Sequence, residues 1–154
     1  MEISDLITLE SVEANLRVTS KKQALQELSK RAAEITGEHE RAIFDVLMER
    51  ERLGTTGVGN GIAIPHGKLA SLDRLYGMFA RLDTPVDFQS IDDQPVDLVF
   101  LLLAPETAGA DHLKALARVS RLLRDVNVCE KLRGTDTNEA LYALLTESSA
   151  SEAA

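Results

Sequence analysis

The nine residues VDLVFLLLA at 96–104 form the longest apolar run of the chain, and they constrain its fold more than any other segment. Their number suits a strand and falls far short of the roughly 18 apolar residues that a membrane-spanning helix needs. A strand that is apolar at nearly every position is typical of the centre of a sheet covered on both faces. We therefore predict a central strand with further layers packed on its two sides.

Two helices are predicted before this strand. Ser20 and Gln23 have the spacing of a capping box, and Gly37 is a typical stop signal, so a first helix lies between them. Apolar side chains repeat at helical spacing over about 38–52, which predicts a second helix. The inner face of this second helix is predicted to consist of Ala42, Ile43, Val46 and Leu47.

Three further helices are predicted after the strand. Asp111 is the predicted N-cap of a long helix that has Leu113 on its inner face. A short helix covers 126–132. Asp136 and Glu139 have the spacing of a second capping box, which predicts the start of the last helix.

Shorter segments complete the predicted sheet. The residues IAI at 62–64 and LYGMFARL at 75–82 are predicted strands. The glycine-rich segment 54–61 is predicted to be a loop, and TPVDF at 84–88 a turn. Helices and strands that follow each other without a repeat or a linker predict a single-domain α/β (α+β) layer fold.

The length and the charge of the chain limit its class. Its 154 residues fit one domain, placed at 1–146, and the small polar residues 147–154 are predicted to be a disordered tail. The formal charge of −8 at pH 7 works against binding to nucleic acid or to an anionic membrane. The single cysteine, Cys129, excludes an internal disulfide and a thiolate metal cluster. Because the acidic start lacks the features of a signal peptide, we predict a cytoplasmic protein.

The segment GVGNGIAIPHGK at 57–68 holds the most informative histidine. Its glycines, at every second position, allow backbone conformations and close approaches that other residues cannot reach. Pro65 fixes the backbone before His66, and Gly67 removes side-chain bulk after it. Such an imidazole stands on a rigid stem with open space around it, as a histidine that reacts with another protein requires. The same residues also fit a tight turn with a hydrogen-bonded surface histidine, and the segment alone does not separate the two.

Two other side chains are candidates for the same site. His112 follows the predicted cap Asp111, where backbone N–H groups and the helix dipole stabilise a phosphoryl group. Arg50 lies in the last turn of the second helix, four residues after Val46, from where a guanidinium can form a bidentate contact with phosphate. The simpler alternatives are a capping-region residue for His112 and a charge that complements the helix C-terminus for Arg50.

The sequence lacks the motifs of several other site classes. The letters GVGNGI depart from G-x-G-x-x-G and follow a helix, which argues against a dinucleotide site, and there is no P-loop. The three histidines lack metal-ligand spacing, and no G-x-S-x-G elbow is present. We therefore predict neither a metal nor an organic cofactor.

The segment RERLGTTGVGNGIAIPHGK at 50–68 resembles the active-site segment of the phosphotransferase-system enzyme IIA domains of the fructose/mannitol type. It is most similar to the nitrogen-regulatory branch of that family. SKKQALQEL at 20–28, DDQPVDLVFLLLAP at 92–105 and DHLKALARVSRLLRD at 111–125 resemble the same branch in the same order. The resemblance covers nearly the whole chain.

The resemblance implies a fold with a mixed β-sheet flanked by helices and a function as a phosphoryl carrier. The phosphorylated histidine of the family falls on His66, its second active-site histidine on His112 and its arginine on Arg50. The phosphoryl donor is a histidine-containing phosphocarrier protein, charged from phosphoenolpyruvate by an enzyme I. In the nitrogen branch the phosphorylation state controls partner proteins, such as potassium-transport or sensor-kinase proteins, so the activity is regulatory rather than metabolic.

The glycine loop is predicted to assist the transfer. A transferring phosphoryl group spreads its charge over its oxygens, so that positioned N–H donors stabilise it. Backbone N–H groups of the loop are expected to supply some of these donors. The residues concerned are Gly57, Gly59, Asn60 and Gly61.

Several points stay open at this stage. Leu53, Lys68 and Leu69 beside the site are predicted to form part of an apolar or basic rim that receives the donor. A sugar-specific IIA component that passes phosphate to a IIB domain, or a non-catalytic binding module of the same fold, is the alternative function. The sequence does not decide which targets are regulated, which nitrogen of His66 is phosphorylated, or whether a weak homodimer forms.

Overall fold

The structure is a computed structural model that describes the backbone of residues 1–153 and the side chains of residues 1–147. The predicted disordered tail at 147–154 falls almost wholly outside the described side chains and stays a prediction. The strands are β1 (Val12–Leu16), β2 (Gly57–Gly59), β3 (Ile62–Ala63), β4 (His66–Leu69), β5 (Tyr76–Val86) and β6 (Val96–Pro105). The α-helices are α1 (Lys21–Thr36), α2 (Glu40–Leu53), α3 (Ala110–Leu123), α4 (Val126–Arg133) and α5 (Asn138–Ala153). Two short 3-10 helices, Ile3–Asp5 and Leu9–Ser11, precede β1.

All six strands form one mixed sheet with β6 inside it. β5 pairs antiparallel with one edge of β6, and β1 pairs parallel with β5. The other edge of β6 is shared by two strands, because β3 runs parallel to its first half and β4 parallel to its second half. β2 folds back antiparallel on β3. β4 therefore lies at the border of the sheet, where helices from both layers can approach it.

The predicted covering of the central strand on both faces is confirmed. Leu98, Phe100 and Leu102 of β6 belong to a core that also contains apolar side chains of α3, α4 and α5. Their neighbours Val99 and Leu101 belong to a second core that contains side chains of α1 and α2. Since successive side chains of a strand point to opposite faces, this continuous apolar run supplies both cores at once.

The boundaries of α1 follow the predicted signals. Ser20 Oγ accepts a hydrogen bond from Gln23 N at 3.1 Å, and Gln23 Oε1 accepts one from Thr19 N at 2.7 Å. The helix ends at Gly37, whose φ of 78° is left-handed and therefore suits glycine. The predicted helices over 38–52 and 126–132 are present as α2 and α4.

The predicted start of α3 is wrong by two residues. Gly109, with a φ of 55°, is the N-cap, so Asp111 lies within the first turn. The buried stripe of α3 contains His112 and Ala115, whereas Leu113 is 70% exposed. The inner face was misplaced because the apolar pattern did not count a histidine as an inward-facing residue.

Other corrections concern element ends. The last helix does not use the predicted box of Asp136 and Glu139, because Ala140 N donates instead to Thr137 Oγ1 at 3.2 Å. The predicted turn at 84–88 is wrong in its first half, since β5 continues to Val86. Ala42, predicted to face inward, is exposed.

Parts of the predicted loop at 54–61 pair as β2, and β1 and β4 were not predicted at all. Their short sequences contain few residues that favour strands, and their pairing with distant strands holds them in the sheet. Among the described residues, no helix combines the length and the apolar character needed to cross a membrane.

Candidate active site

His66 is the first residue of β4 and is half-buried. The strand is fixed at this point because His66 lies opposite Leu102 of β6, and Leu102 N donates to Pro65 O at 2.9 Å. His66 Nδ1 lies 2.9 Å from the carbonyl oxygen of Ile64. Since a carbonyl oxygen only accepts hydrogen bonds, Nδ1 carries the proton in the neutral ring, and Nε2 has the lone pair.

Arg50 reaches this lone pair from the last turn of α2. Its Nε donates to His66 Nε2 at 3.2 Å, and its Nη1 donates to Gly54 O at 2.8 Å. The second bond anchors the guanidinium to the C-terminal end of its own helix. One edge of the guanidinium is thus held by the backbone while the other faces Nε2 of the imidazole.

His112 approaches the same ring from the opposite helical layer. Its ring centroid lies 5.7 Å from that of His66, and the two planes are inclined by 71°. Only 6% of His112 is exposed, and its Nε2 is buried with no hydrogen-bond partner among the described residues. A buried polar atom without a partner costs about 1–3 kcal/mol, so a group that entered the site and bonded this nitrogen would recover that energy.

Both imidazoles are kept uncharged by their surroundings. Burial is the largest cause that lowers the pKa of His66, and the positive charge of Arg50 lowers it further. The carbonyl of Ile64 and the carboxylate of Glu51 oppose this decrease without cancelling it. Burial also lowers the pKa of His112, followed by the effects of His66 and Lys68. At neutral pH the two rings are therefore unprotonated bases, and an unprotonated imidazole is a nucleophile.

An open cavity of about 370 Å³ surrounds the two histidines. Its lining includes Arg50, Leu53 and Lys68, and Leu53 is 84% exposed. Leu69, which was predicted to share the rim, is instead 7% exposed and packs in the core on the α1–α2 side of the sheet. Of the three residues predicted to form the rim, Leu53 and Lys68 line the cavity and Leu69 does not.

The glycine after the histidine has a packing role. A Cβ atom at Gly67 would lie 2.3 Å from Val46 Cγ1 of α2. Only glycine lets α2 approach β4 this closely. The contact sets the distance between the helix that supplies Arg50 and the strand that supplies His66.

The four predicted phosphate-loop residues lie in the hairpin of β2 and β3, and none of them is among the residues that line this cavity. Asn60 N donates to Asp92 Oδ2 at 2.9 Å, and Asn60 O accepts from Arg133 Nη2 at 2.7 Å. A Cβ atom at Gly57 would lie 2.3 Å from Ser90 Oγ. Gly59 and Gly61 have φ values of 103° and 79°, and these conformations, which suit glycine, allow the chain to turn between β2 and β3. These contacts shape the hairpin, and a role of its N–H groups in phosphate binding stays a prediction.

A family model described as phosphoenolpyruvate-dependent sugar phosphotransferase system, EIIA 2, matches residues 5–148. The chain belongs to this family. A nitrogen regulatory protein of Bradyrhizobium diazoefficiens is 62% identical over 145 residues, which cover 94% of this chain and 95% of that relative. The crystal structure of nitrogen regulatory protein IIA-Ntr from Neisseria meningitidis matches with a TM-score of 0.89 and 33% identity, over 94% of this chain and 99% of that one.

A fructose-specific EIIA component of the phosphotransferase system from Haloferax volcanii is 35% identical over 147 residues, covering 95% of this chain and 96% of the relative. The chain is thus similar to relatives of both kinds, and the nitrogen regulatory protein is the more similar of these two. The predicted family, its nitrogen-regulatory branch and the fold class are confirmed.

Some features of this candidate site were not predicted from the sequence. The Ile64 carbonyl that selects the tautomer of His66 is a backbone group, and no residue type signals such a contact. Glu49 lines the cavity and pairs with Arg52, three residues on, which is the ordinary pattern of an exposed helix face. The family resemblance had placed His66 and His112 at one site; the packing of α3 against the sheet brings the two rings together, although the residues are 46 positions apart.

Proposed function

We propose that the chain is a phosphoryl-carrier regulatory protein that accepts a phosphoryl group on Nε2 of His66. The donor is a histidine-containing phosphocarrier protein that is itself charged from phosphoenolpyruvate. One observation supports this proposal above the others: Nδ1 of His66 is occupied by the Ile64 carbonyl, and Nε2 meets the guanidinium of Arg50 beside an open cavity. A nucleophile needs a lone pair within reach of its substrate, and Nε2 fulfils this condition.

The transfer exchanges one nitrogen–phosphorus bond for another. The Nε2 lone pair of His66 forms a bond to phosphorus while the bond from phosphorus to the donor imidazole breaks. The electron pair of the broken bond stays on the donor nitrogen, and the donor ring, protonated at its other nitrogen, leaves as a neutral imidazole. On His66 the Nδ1 proton remains in place, where the Ile64 carbonyl stabilises the positive charge of the phosphorylated ring.

Arg50 and His112 act on the phosphoryl oxygens during this step. The transferring group is nearly planar and carries its charge on these oxygens, so that catalysis depends on positioned donors. The Nε–H of Arg50 moves from Nε2 to an oxygen when Nε2 becomes bonded to phosphorus, while Nη1 keeps its bond to Gly54 O. Nε2 of His112 has no hydrogen-bond partner within the described part of the chain, and in the tautomer that carries the proton on this nitrogen it offers a second donor.

The surface around the cavity suits a protein donor. Leu53 lines the cavity and is 84% exposed, and Leu113, the residue after His112 in the chain, is 70% exposed. Apolar side chains flanking a reactive residue give a partner protein a dry contact area. Lys68 adds a positive charge to this rim in a chain with a formal charge of −8. We expect these three residues to contact the phosphocarrier protein.

The regulatory part of the proposal is supported by the relatives. Proteins named nitrogen regulatory protein are similar to this chain over nearly its whole length. We therefore propose that the phosphorylation state of His66 determines which cytoplasmic partners the chain binds, with potassium-transport and sensor-kinase proteins as the candidates. Phosphorylation places a negatively charged phosphoryl group, with three oxygens that accept hydrogen bonds, at the mouth of the cavity, and such a group can disrupt or create an interface there.

The test is the intact mass after incubation with phosphoenolpyruvate, enzyme I and the phosphocarrier protein. We expect the wild type to gain one acid-labile phosphoryl group and His66→Ala to gain none. His39→Ala is the matched control, because His39 is exposed and its side chain makes no capping bond at the start of α2. An unlabelled wild type beside a charged donor, or a labelled His66→Ala, would contradict the proposal.

A sugar-specific role is the second candidate, and the similarity to a fructose-specific EIIA component favours testing it. The phosphorylated chain is mixed with a fructose-type or a mannitol-type IIB domain, and the loss of phosphate is followed. The regulatory role is supported if the chain keeps its phosphoryl group in the presence of the IIB domain for much longer than the phosphocarrier protein needs to phosphorylate it. Rapid transfer to a IIB domain supports the sugar-specific role. A non-catalytic binding module predicts instead that His66→Ala leaves every partner interaction unchanged.

A further inference from the structure

A second cavity, here called the hairpin–helix cleft, lies between the β2–β3 hairpin and the C-terminal half of α3. Its volume is about 380 Å³, which is within the usual range of small-molecule sites and more than twice the roughly 150 Å³ that holds a benzene ring. Ile62, Ile64 and Leu123 contribute its apolar lining, and all three are at least nine-tenths buried. The cleft therefore offers an apolar body of two or three rings a place out of water.

Two arginines at the edge of the cleft give it a charge preference. Arg121 and Arg124 are exposed, and their side chains form no hydrogen bond or ion pair with any residue in the described part of the chain. Two carboxylates of neighbouring segments are already engaged: Asp92 accepts from Asn60 N, and Asp125 caps α4. In a chain with a formal charge of −8, two unneutralised guanidinium groups beside an apolar cavity match an anionic headgroup.

The cleft and the candidate active site share one residue. Ile64 lines the cleft, and its carbonyl oxygen accepts the Nδ1 proton of His66 at 2.9 Å. Any ligand that moves or polarises this peptide group changes the hydrogen bond that selects the tautomer of the reactive ring. Coupling of this kind needs a shared structural element, and the Ile64 peptide is such an element.

We propose that the hairpin–helix cleft binds a small organic anion with an apolar body, and that His66 responds to its occupancy through Ile64. The apolar lining holds the body of the ligand, and Arg121 and Arg124 hold its acidic group. The binding of a ligand in the cleft does not depend on the function proposed above, whereas any effect of that ligand on phosphoryl transfer rests on that function.

Binding is tested with 8-anilinonaphthalene-1-sulfonate, an anion with two aromatic groups whose fluorescence rises in apolar surroundings. We expect saturable binding that weakens about fivefold in Arg121→Gln or Arg124→Gln and by more than about tenfold in the double variant. Ala117→Phe, at an exposed position that lines the cleft, fills the cavity without changing a charge and should abolish binding. Arg17→Gln is the matched control, because Arg17 is an exposed arginine beside Asp83, outside the cleft.

The uncharged analogue N-phenyl-1-naphthylamine distinguishes the contribution of the apolar lining from that of the two arginines. We expect it to bind more weakly than the sulfonate and to be insensitive to the two arginine variants. Binding of the sulfonate that survives both Ala117→Phe and the double arginine variant would overturn the proposed site. Equal affinity for the neutral and the anionic probe would show that the arginines only complement the end of α3.

The response of His66 is tested by the NMR signal of its Cε1–H at fixed pH, without any phosphoryl donor. We expect this signal to shift as the probe is added. The shift should follow a saturable binding curve with the same dissociation constant that fluorescence gives, while the signal of His39 stays in place. Probe binding that leaves the His66 signal unmoved would overturn the coupling. Since no phosphoryl transfer enters this measurement, its failure is distinct from failure of the proposed function.

Discussion

Replacing Arg50 tests the assignment of a catalytic role to its guanidinium. In the resting state its Nε lies 3.2 Å from His66 Nε2, the nitrogen that is proposed to bind phosphorus. A donor so close to the bond being formed is available to the phosphoryl oxygens in the transition state. Removal of a single positioned donor of this kind costs about 10²–10³-fold in rate in other enzymes. We therefore expect Arg50→Ala to slow phosphoryl transfer by about 10²-fold or more.

The same change should affect stability much less. The substitution removes the hydrogen bond to Gly54 O, which contributes about 1 kcal/mol, and a favourable interaction with the end of α2 of about 0.3–1 kcal/mol. The bond from Arg50 Nε to His66 Nε2 is lost as well, but both residues border the open cavity, where water can take the place of this donor. The loss of less than about 2 kcal/mol corresponds to a decrease in Tm of less than about 8 °C for a chain of this size. Arg50→Lys keeps the charge but cannot hold Gly54 O and the phosphoryl group at once, so we expect only partial recovery of the rate.

The assay is a single-turnover transfer from the phosphorylated phosphocarrier protein, quenched at short times, with thermal unfolding of the same samples. Arg52→Ala is the matched control, because Arg52 lies in the last turn of the same helix, is exposed and pairs with Glu49 instead of His66. A rate for Arg50→Ala that equals that of Arg52→Ala would refute the catalytic role. A loss of rate that is fully explained by unfolded protein at the assay temperature would refute it as well.

Three further outcomes are expected. Gly67→Ala should destabilise the fold by about 1–3 kcal/mol, because its Cβ would lie 2.3 Å from Val46 Cγ1, and adding Val46→Ala should recover much of this loss in urea unfolding. Because burial lowers the pKa of His66, the single-turnover transfer rate should stay level as the pH falls through about 6.5 and decline only below the folded-state pKa; a half-maximal rate at the ordinary histidine pKa would contradict this. The lowered pKa values of His66 and His112 also mean that the unfolded chain binds more protons below about pH 6.5, so the free energy of unfolding should decrease from pH 8 to pH 5.5, and less so in a His66→Gln/His112→Gln variant.

The elements that were correctly predicted are those whose signals are local. The run at 96–104 and the caps at Ser20 and Gly37 carry their information within a few residues, and each has the predicted structure. The strand at 66–69 contains a glycine and a lysine, and only its pairing with β6 makes it a strand. Such pairing depends on residues about 36 positions away, so no local pattern contains it.

The candidate site shows the same division. His66 became a candidate because proline and glycine flank it, and Arg50 because helical spacing places it in the last turn of α2, whereas the choice of a phosphoryl-transfer role for both came from the family resemblance. The sequence could not give the tautomer of His66, since the Ile64 carbonyl that decides it is a backbone atom. The burial of His112 was missed for a related reason: a polar residue on the inner face of α3 interrupts the apolar pattern from which that face is read.

The most direct test of the account is NMR of the imidazole nitrogens after phosphorylation of protein labelled with ¹⁵N-histidine. The account predicts one phosphoryl group, coupled through ³¹P to Nε2 of His66, with Nδ1 of the same ring still protonated and hydrogen-bonded to Ile64 O. Coupling to Nδ1 of His66 or to another histidine would contradict it. So would the absence of any coupled histidine in the presence of a charged donor.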